Sequence, residues 1–191
     1  MISLAQLGYG HFFASHFERL GRPDLVPARI AADGPGIHHL LGCQAVVGEL
    51  SGRLRYELSG PERPAAGDWV AVADSADRAV IHYCLPRRTV LTRRAADSDV
   101  AMQVIAANVD LVGIVTSANR DFNPRRIERY LTTFWESGAN PIVILNKVDL
   151  VDDSGPMLEA VAEVALGVPV VTISPAPIGG FARSSASNAT R

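Results

Sequence analysis

Four residues, Asn146-Lys147-Val148-Asp149, follow the apolar run Pro141-Ile142-Val143-Ile144-Leu145 and carry the most specific chemistry in this chain. A carboxylate at the end of a strand, Asp149, can accept hydrogen bonds from the ring N1–H and exocyclic amine of guanine, whereas adenine offers no matching pair of donors. Asn146 can address the purine edge with its amide, and the stem of Lys147 can lie flat on the ring while its ammonium stays in water. Lys147 is the one lysine among 191 residues. The phosphate loop G-x-x-x-x-G-K-[ST] needs a lysine of its own to reach the phosphates, so this chain is read as recognising a guanine base without holding a triphosphate.

The elements that would position the motif follow from the period of the apolar residues. Residues 111–116 read as a buried strand. Asn123-Pro124 supplies an N-cap and a first-turn proline for a helix running towards Gly138. Residues 142–145 form the next strand, Ser154-Gly155-Pro156 starts a second helix that Gly167 ends, and residues 168–174 form a third strand. This βαβαβ order predicts a parallel sheet with right-handed crossovers and puts Lys147 at the carboxyl edge, where such sheets bind ligands. Asp110-Leu111-Val112-Gly113 matches the D-x-x-G of a magnesium switch, but it enters a strand instead of leaving one and is read as a coincidence.

The first half has a different rhythm. Tyr9, Phe12, Phe13, His16, Phe17 and Leu20 recur at helical spacing within residues 3–20, predicting an amphipathic helix whose aromatic stripe packs on a neighbour. Short apolar segments follow at residues 26–32, 37–41, 43–50, 53–58, 69–73 and 79–85, separated by turn signals such as Ser51-Gly52 and Gly67-Asp68. Strands of that length and spacing predict a small closed barrel of the oligonucleotide/oligosaccharide-binding (OB) type. The expected fold class is thus a β barrel followed by α/β.

The chain is 48% hydrophobic and 20% charged, which fits two small globular domains. A net charge of −2 excludes a wholly basic nucleic-acid binder, but residues 1–95 hold 11 Arg against 9 Asp and Glu, whereas residues 96–191 hold 7 basic against 11 acidic. A polyanion would meet the first half, with Arg53, Arg55, Arg87, Arg88, Arg93 and Arg94 as the candidate phosphate contacts. Cys43 and Cys84 lack the spacing of a metal or redox pair and read as buried free thiols, and the scattered histidines read as structural. No secretory leader and no apolar run of about 20 residues is present, so no membrane is implied and a cytoplasmic location is expected.

Several blocks, in order, resemble one family: Arg55-Tyr56-Glu57, Gly67-Asp68-Trp69-Val70, Leu85-Pro86-Arg87-Arg88, residues 103–110, residues 121–131 and Asn146-Lys147-Val148-Asp149-Leu150. The resemblance covers roughly residues 5 to 174 and is to the ribosome small subunit-dependent GTPase A family. It implies an OB barrel over residues 1–95, then, over residues 96–174, the first part of a circularly permuted P-loop GTPase domain in which the guanine motif precedes the phosphate loop. It implies a factor that matures the small ribosomal subunit, binds its ribosomal RNA and hydrolyses GTP, with magnesium and zinc as further cofactors. It adds Ser174 to the guanine-binding set of Asn146, Lys147 and Asp149, as the first of a Ser-Ala pair. Here Pro175 follows Ser174 and has no N–H to give the guanine carbonyl.

Neither catalytic nor metal-binding residues are assigned, because no positions match the family's phosphate loop, switches or zinc module. Residues 175–191 have no apolar period and are expected to form a disordered, non-native tail from a frameshift or a truncated gene model. Two readings stay open: a GTPase inactive as this chain alone, and a non-catalytic OB-fold RNA-binding module with a vestigial guanine site.

Overall fold

A computed structural model describes residues 2–34, 36–94 and 102–174. The chain packs as two compact units, Met1–Val109 and Asp110–Arg191. In the first, β1 (Val26–Asp33), β2 (His38–Leu41), β3 (Val47–Leu50), β4 (Trp69–Ala73) and β5 (Ala79–Cys84) close into a barrel in the order β1-β2-β3-β5-β4. The β3–β5 pair is parallel and the others are antiparallel. Strand alternation turns Ala28, Ile30, Leu40, Val70, Val72 and Ile81 into the barrel, where they form the main core.

One segment read as a strand is a helix. Residues 53–58 lie mostly in α2 (Gly52–Glu57), which the Ser51 hydroxyl caps by accepting the Leu54 N–H at 3.3 Å. The overlooked signal is Ser51 as an N-cap; Leu54 and Leu58, four residues apart, share a face in a helix as they would in a strand, and both pack on the barrel core. The N-terminal helix is also shorter than its aromatic period implied, α1 being His11–Glu18. Tyr9 and Phe13 lie 4.8 and 5.7 Å, centroid to centroid, from the fully buried Trp69, so the stripe packs as expected.

The first unit extends past the expected division at residue 95. β6 (Val90–Arg94) pairs antiparallel with β7 (Met102–Ala107), and the end of β7 is tied to the barrel. Ala107 N–H donates to the Ala66 carbonyl, and Asn108 Nδ2–H to that of Gly67. Gly67 has φ +92°, and a Cβ there would stand 2.0 Å from the Ala107 oxygen, so only glycine permits this approach. The Arg29 guanidinium completes the junction, donating to the carbonyls of Leu7, Gly67 and Asn108. A barrel ended at residue 95 would lose all these β7 partners.

His38, on β2, is a buried titratable group of the barrel unit. Burial holds its pKa below the usual histidine value, Arg63 adds to that, and Asp33 partly opposes it. Because the folded chain binds this proton less readily than the unfolded chain, stability is full above pH of about 6.5 and falls as the pH drops towards the lowered folded value. Urea unfolding between pH 7.5 and 5.5 should show that loss, and His38→Gln should flatten it; an equally steep loss in the variant would assign it elsewhere. Burial also pushes the thiols of Cys43 and Cys84 up, to about 11 and about 12, leaving free cysteines of low reactivity.

In the second unit, β8 (Leu111–Ser117), α3 (Pro124–Glu136), β9 (Asn140–Asn146), α4 (Gly155–Val164) and β10 (Val170–Ile173) form a three-stranded parallel sheet in the order β10-β9-β8. Asn123 caps α3 through Arg126 N–H at 3.3 Å, with Pro124 in the first turn. Ile127 and Leu131 of α3 and Val161 of α4 pack on Ile114 and Val143 of the sheet. Away from that packing, Leu111 and Val115 of β8 are 60% and 62% exposed. β8 therefore alternates between covered and exposed positions, where the sequence reading had it buried throughout. Among the described residues, no helix is long and apolar enough to cross a membrane. The expected tail, residues 175–191, lies outside the described residues.

Candidate functional site

β9 is the central strand of its sheet, and its last residue, Asn146, pairs with Ser117 of β8 and Ile173 of β10. Parallel pairing brings three strand ends to one edge: Ser117 to Asn119 after β8, Asn146 to Asp149 after β9, and Ser174 after β10. The chain leaves β9 sharply. Lys147 adopts a left-handed conformation, φ 61° and ψ 36°, uncommon for a residue with a Cβ. Asn146 stabilises the kink by accepting Lys147 N–H on Oδ1 at 2.8 Å, and the Asn146 carbonyl accepts Ala118 N–H at 2.7 Å. A 3-10 turn, Val148–Leu150, then presents Asp149 to solvent.

These contacts divide the work of the motif. The Asn146 carbonyl side of its amide is used internally, which leaves its NH₂ to donate to an acceptor on a purine edge. Lys147 and Asp149 are exposed side chains at the same edge, and Ser174 is exposed beside them. The sequence reading missed the β8 end, where Asn119 Oδ1 accepts Asp121 N–H at 3.0 Å and shapes the loop flanking Asn146. The polar run Thr116-Ser117-Ala118-Asn119 at the end of an apolar strand was its available signal. Asp110 enters β8, its carbonyl accepting the backbone and side-chain N–H groups of Asn140.

The candidate RNA contacts are less uniform than their residue type. Arg53 is 61% exposed, pairs with Glu57 at 3.3 Å, and lies 5.4 Å from the Tyr83 ring centroid. Arg55 is 60% exposed and pairs with Glu49 at 3.6 Å. Arg93 donates twice to Gln103 Oε1 across the β6–β7 pair. Arg88 is exposed, and its backbone N–H is bound by Asn108 Oδ1 at 2.8 Å. Arg94 ends β6, and its side chain lies outside the described residues. Arg87 departs from the set. Four of its five N–H donors are taken, by both oxygens of Asp68 and by the carbonyls of Pro61 and Arg63, so it braces the barrel instead of facing a phosphate.

Among the described residues, no group of three or more His, Cys, Asp or Glu side chains is placed to hold a metal ion.

An OB-type barrel followed by a parallel βαβαβ sheet with an N-K-x-D motif at its carboxyl edge defines a circularly permuted GTPase plan. Solved structures share it: YjeQ from Thermotoga maritima matches 78% of this chain and 52% of its own with a TM-score of 0.61 at 20% identity. YloQ, described as a circularly permuted GTPase, matches 80% and 53% with a TM-score of 0.58 at 21% identity. The family model for the RsgA GTPase matches residues 84–182. The small ribosomal subunit biogenesis GTPase RsgA of Syntrophotalea carbinolica is 40% identical over 182 residues, covering 91% of this chain and 50% of that protein. Its namesake in Opitutus terrae is 41% identical over 193 residues, covering 95% and 53%. The chain belongs to the RsgA GTPase family and spans about half the length of these curated relatives.

Proposed function

We propose that this protein binds and hydrolyses GTP as a factor in maturation of the small ribosomal subunit, in the cytoplasm, with the barrel contacting ribosomal RNA. The observation that carries the reading is Asn146-Lys147-Val148-Asp149 at the carboxyl edge of β9, in a chain whose curated relatives are named small ribosomal subunit biogenesis GTPases. The roles follow from geometry and chemistry. Asp149 accepts the two guanine donors, the Asn146 NH₂ donates to the ring edge, the Lys147 stem covers one face, and Ser174 closes the edge from β10. Hydrolysis rests on phosphate positioning and charge stabilisation, and no described residue is assigned to either.

Nucleotide binding by this chain should be weak and guanine-selective, since the base contacts are present. Titration of ¹⁵N-labelled chain with GTP should move the Asn146 to Asp149 amide resonances, and ATP should not. Equal responses to ATP and GTP would sink the reading.

A further inference from the structure

Among the described residues, the sheet of the second unit runs β10-β9-β8, and β8 pairs on one side only, with β9. Its backbone groups can be sorted by side. The Asp110 carbonyl accepts Asn140 N–H at one end of the pair, and Ala118 N–H donates to the Asn146 carbonyl at the other. Backbone groups alternate between the two sides of a strand, and the register between those bonds is unbroken. Val112, Ile114 and Thr116 therefore serve β9, while Leu111, Gly113, Val115 and Ser117 turn their N–H and C=O groups to the outer side. At the end of that row, the Ser117 carbonyl also accepts Asn119 N–H at 2.9 Å.

Such a row is a template for another strand, and edges that stay single are short, bulged, or guarded by charge or proline. Leu111–Ser117 has none of these guards: it runs for seven residues without a charged residue, a proline or a register shift against β9. Strands of parallel sheets are ordinarily covered on both faces, whereas Leu111, Gly113 and Val115 are exposed. The other edge, β10, has only four residues.

The strand that fits this edge best is the edge itself. When two copies run antiparallel about a twofold axis at Ile114, Leu111 of one faces Ser117 of the other and Gly113 faces Val115. A large side chain then meets a small one in each pair, and all four outward residues enter hydrogen-bonded pairs. A shift of two residues either way would leave Leu111 or Ser117 opposite a residue outside β8. We propose that two copies of this chain join through β8, edge to edge and antiparallel, into one continuous sheet. The contact is isologous and closes on itself, and the edges left over are the short β10 strands, so association stops at the dimer. The copies run in opposite directions, which puts the two Asn146 to Asp149 motifs at opposite ends of the joined sheet. Pairing needs neither GTP nor RNA.

The test uses the full chain without ligand. In sedimentation velocity, the dimer fraction should rise with protein concentration across the micromolar range. In hydrogen exchange followed by NMR, the amides of Leu111, Gly113 and Val115 should slow as concentration rises, and those of Ile114 and Thr116, already bonded to β9, should change far less. Val115→Lys, at a position 62% exposed, places like charges diagonally across the twofold axis and should weaken dimerisation about tenfold or more, with the circular dichroism spectrum unchanged. Leu166→Lys, which removes another exposed apolar side chain outside β8, should leave dimerisation as it is. A chain that stays monomeric throughout overturns the proposal. So does a dimer that Val115→Lys leaves intact, or one in which exchange at Leu111, Gly113 and Val115 is independent of concentration, since either places the contact on another surface.

Discussion

Replacing Arg87 with alanine should lower the stability of the barrel unit by about 3–5 kcal/mol, the usual penalty for stranding one member of a buried ion pair. Asp68 is 1% exposed and takes Arg87 Nε–H and Nη2–H on its two oxygens at 2.9 and 2.7 Å. It also accepts Ala65 N–H at 2.8 Å, so it knits the segment before β4 to the connection that follows β5. Without the guanidinium, a carboxylate stays in a site with no access to water, and the carbonyls of Pro61 and Arg63 lose their donor as well. The hydrogen bond to Asp68 is the main reason Arg87 is held more firmly protonated than a free arginine. Urea unfolding of Arg87→Ala is the measurement, and a loss below about 1 kcal/mol would mean that the pair is solvated after all. Adding Asp68→Asn should recover part of the loss, because the stranded charge is then gone. An RNA-binding test that replaces Arg87 together with Arg88, Arg93 and Arg94 would confound unfolding with lost contacts, so Arg88 and Arg93 are the positions to vary.

Asp149→Asn should change which base is preferred, cutting the preference for guanine over xanthine by about 100-fold or more, the worth of two hydrogen bonds to a charged group. The carboxylate only accepts, which suits the N1–H and amine of guanine. The amide accepts the N1–H of xanthine and donates to the carbonyl that replaces the amine. The backbone geometry supports a clean exchange: Asp149 sits in the short Val148–Leu150 turn, its side chain is exposed, and no described hydrogen bond depends on its carboxylate. Competition of GTP and xanthosine triphosphate for the chain reads the ratio directly. An unchanged preference for guanine in the variant would show that Asp149 does not read the base.

The second unit was legible in the sequence because its signals are local. Asn123-Pro124 states where α3 begins, Gly138 and Gly167 mark helix ends with positive φ, and the run before Asn146 is long and apolar enough to be a strand. Local order also forces the parallel sheet, so the placement of Asn146, Lys147, Asp149 and Ser174 at one edge followed from the order of elements alone. The exposure of Leu111 and Val115 was not legible, because an apolar residue reads the same whether or not another layer covers it.

The barrel unit was less transparent. Five of its strands stand near their expected positions, but α2 reads as a strand in the sequence because Arg53, Arg55 and Glu57 alternate with Leu54, Tyr56 and Leu58 and imitate a period of two. The division at residue 95 failed for a similar reason: the contacts that tie β7 to Gly67 and Arg29 join residues about 40 and 80 positions apart, and no local pattern announces them. By itself, the sequence determined the family, the two folds and the position of the Asn146-Lys147-Val148-Asp149 tetrapeptide, since each is written in residue type and short-range order. Only the tertiary structure decided which arginines face outward, that Arg87 belongs to Asp68, and that Asn146 spends its side-chain oxygen on a left-handed Lys147. The physical reason is that a side chain's partner is set by which distant segments fold against it, whereas its chemistry is set by its type alone.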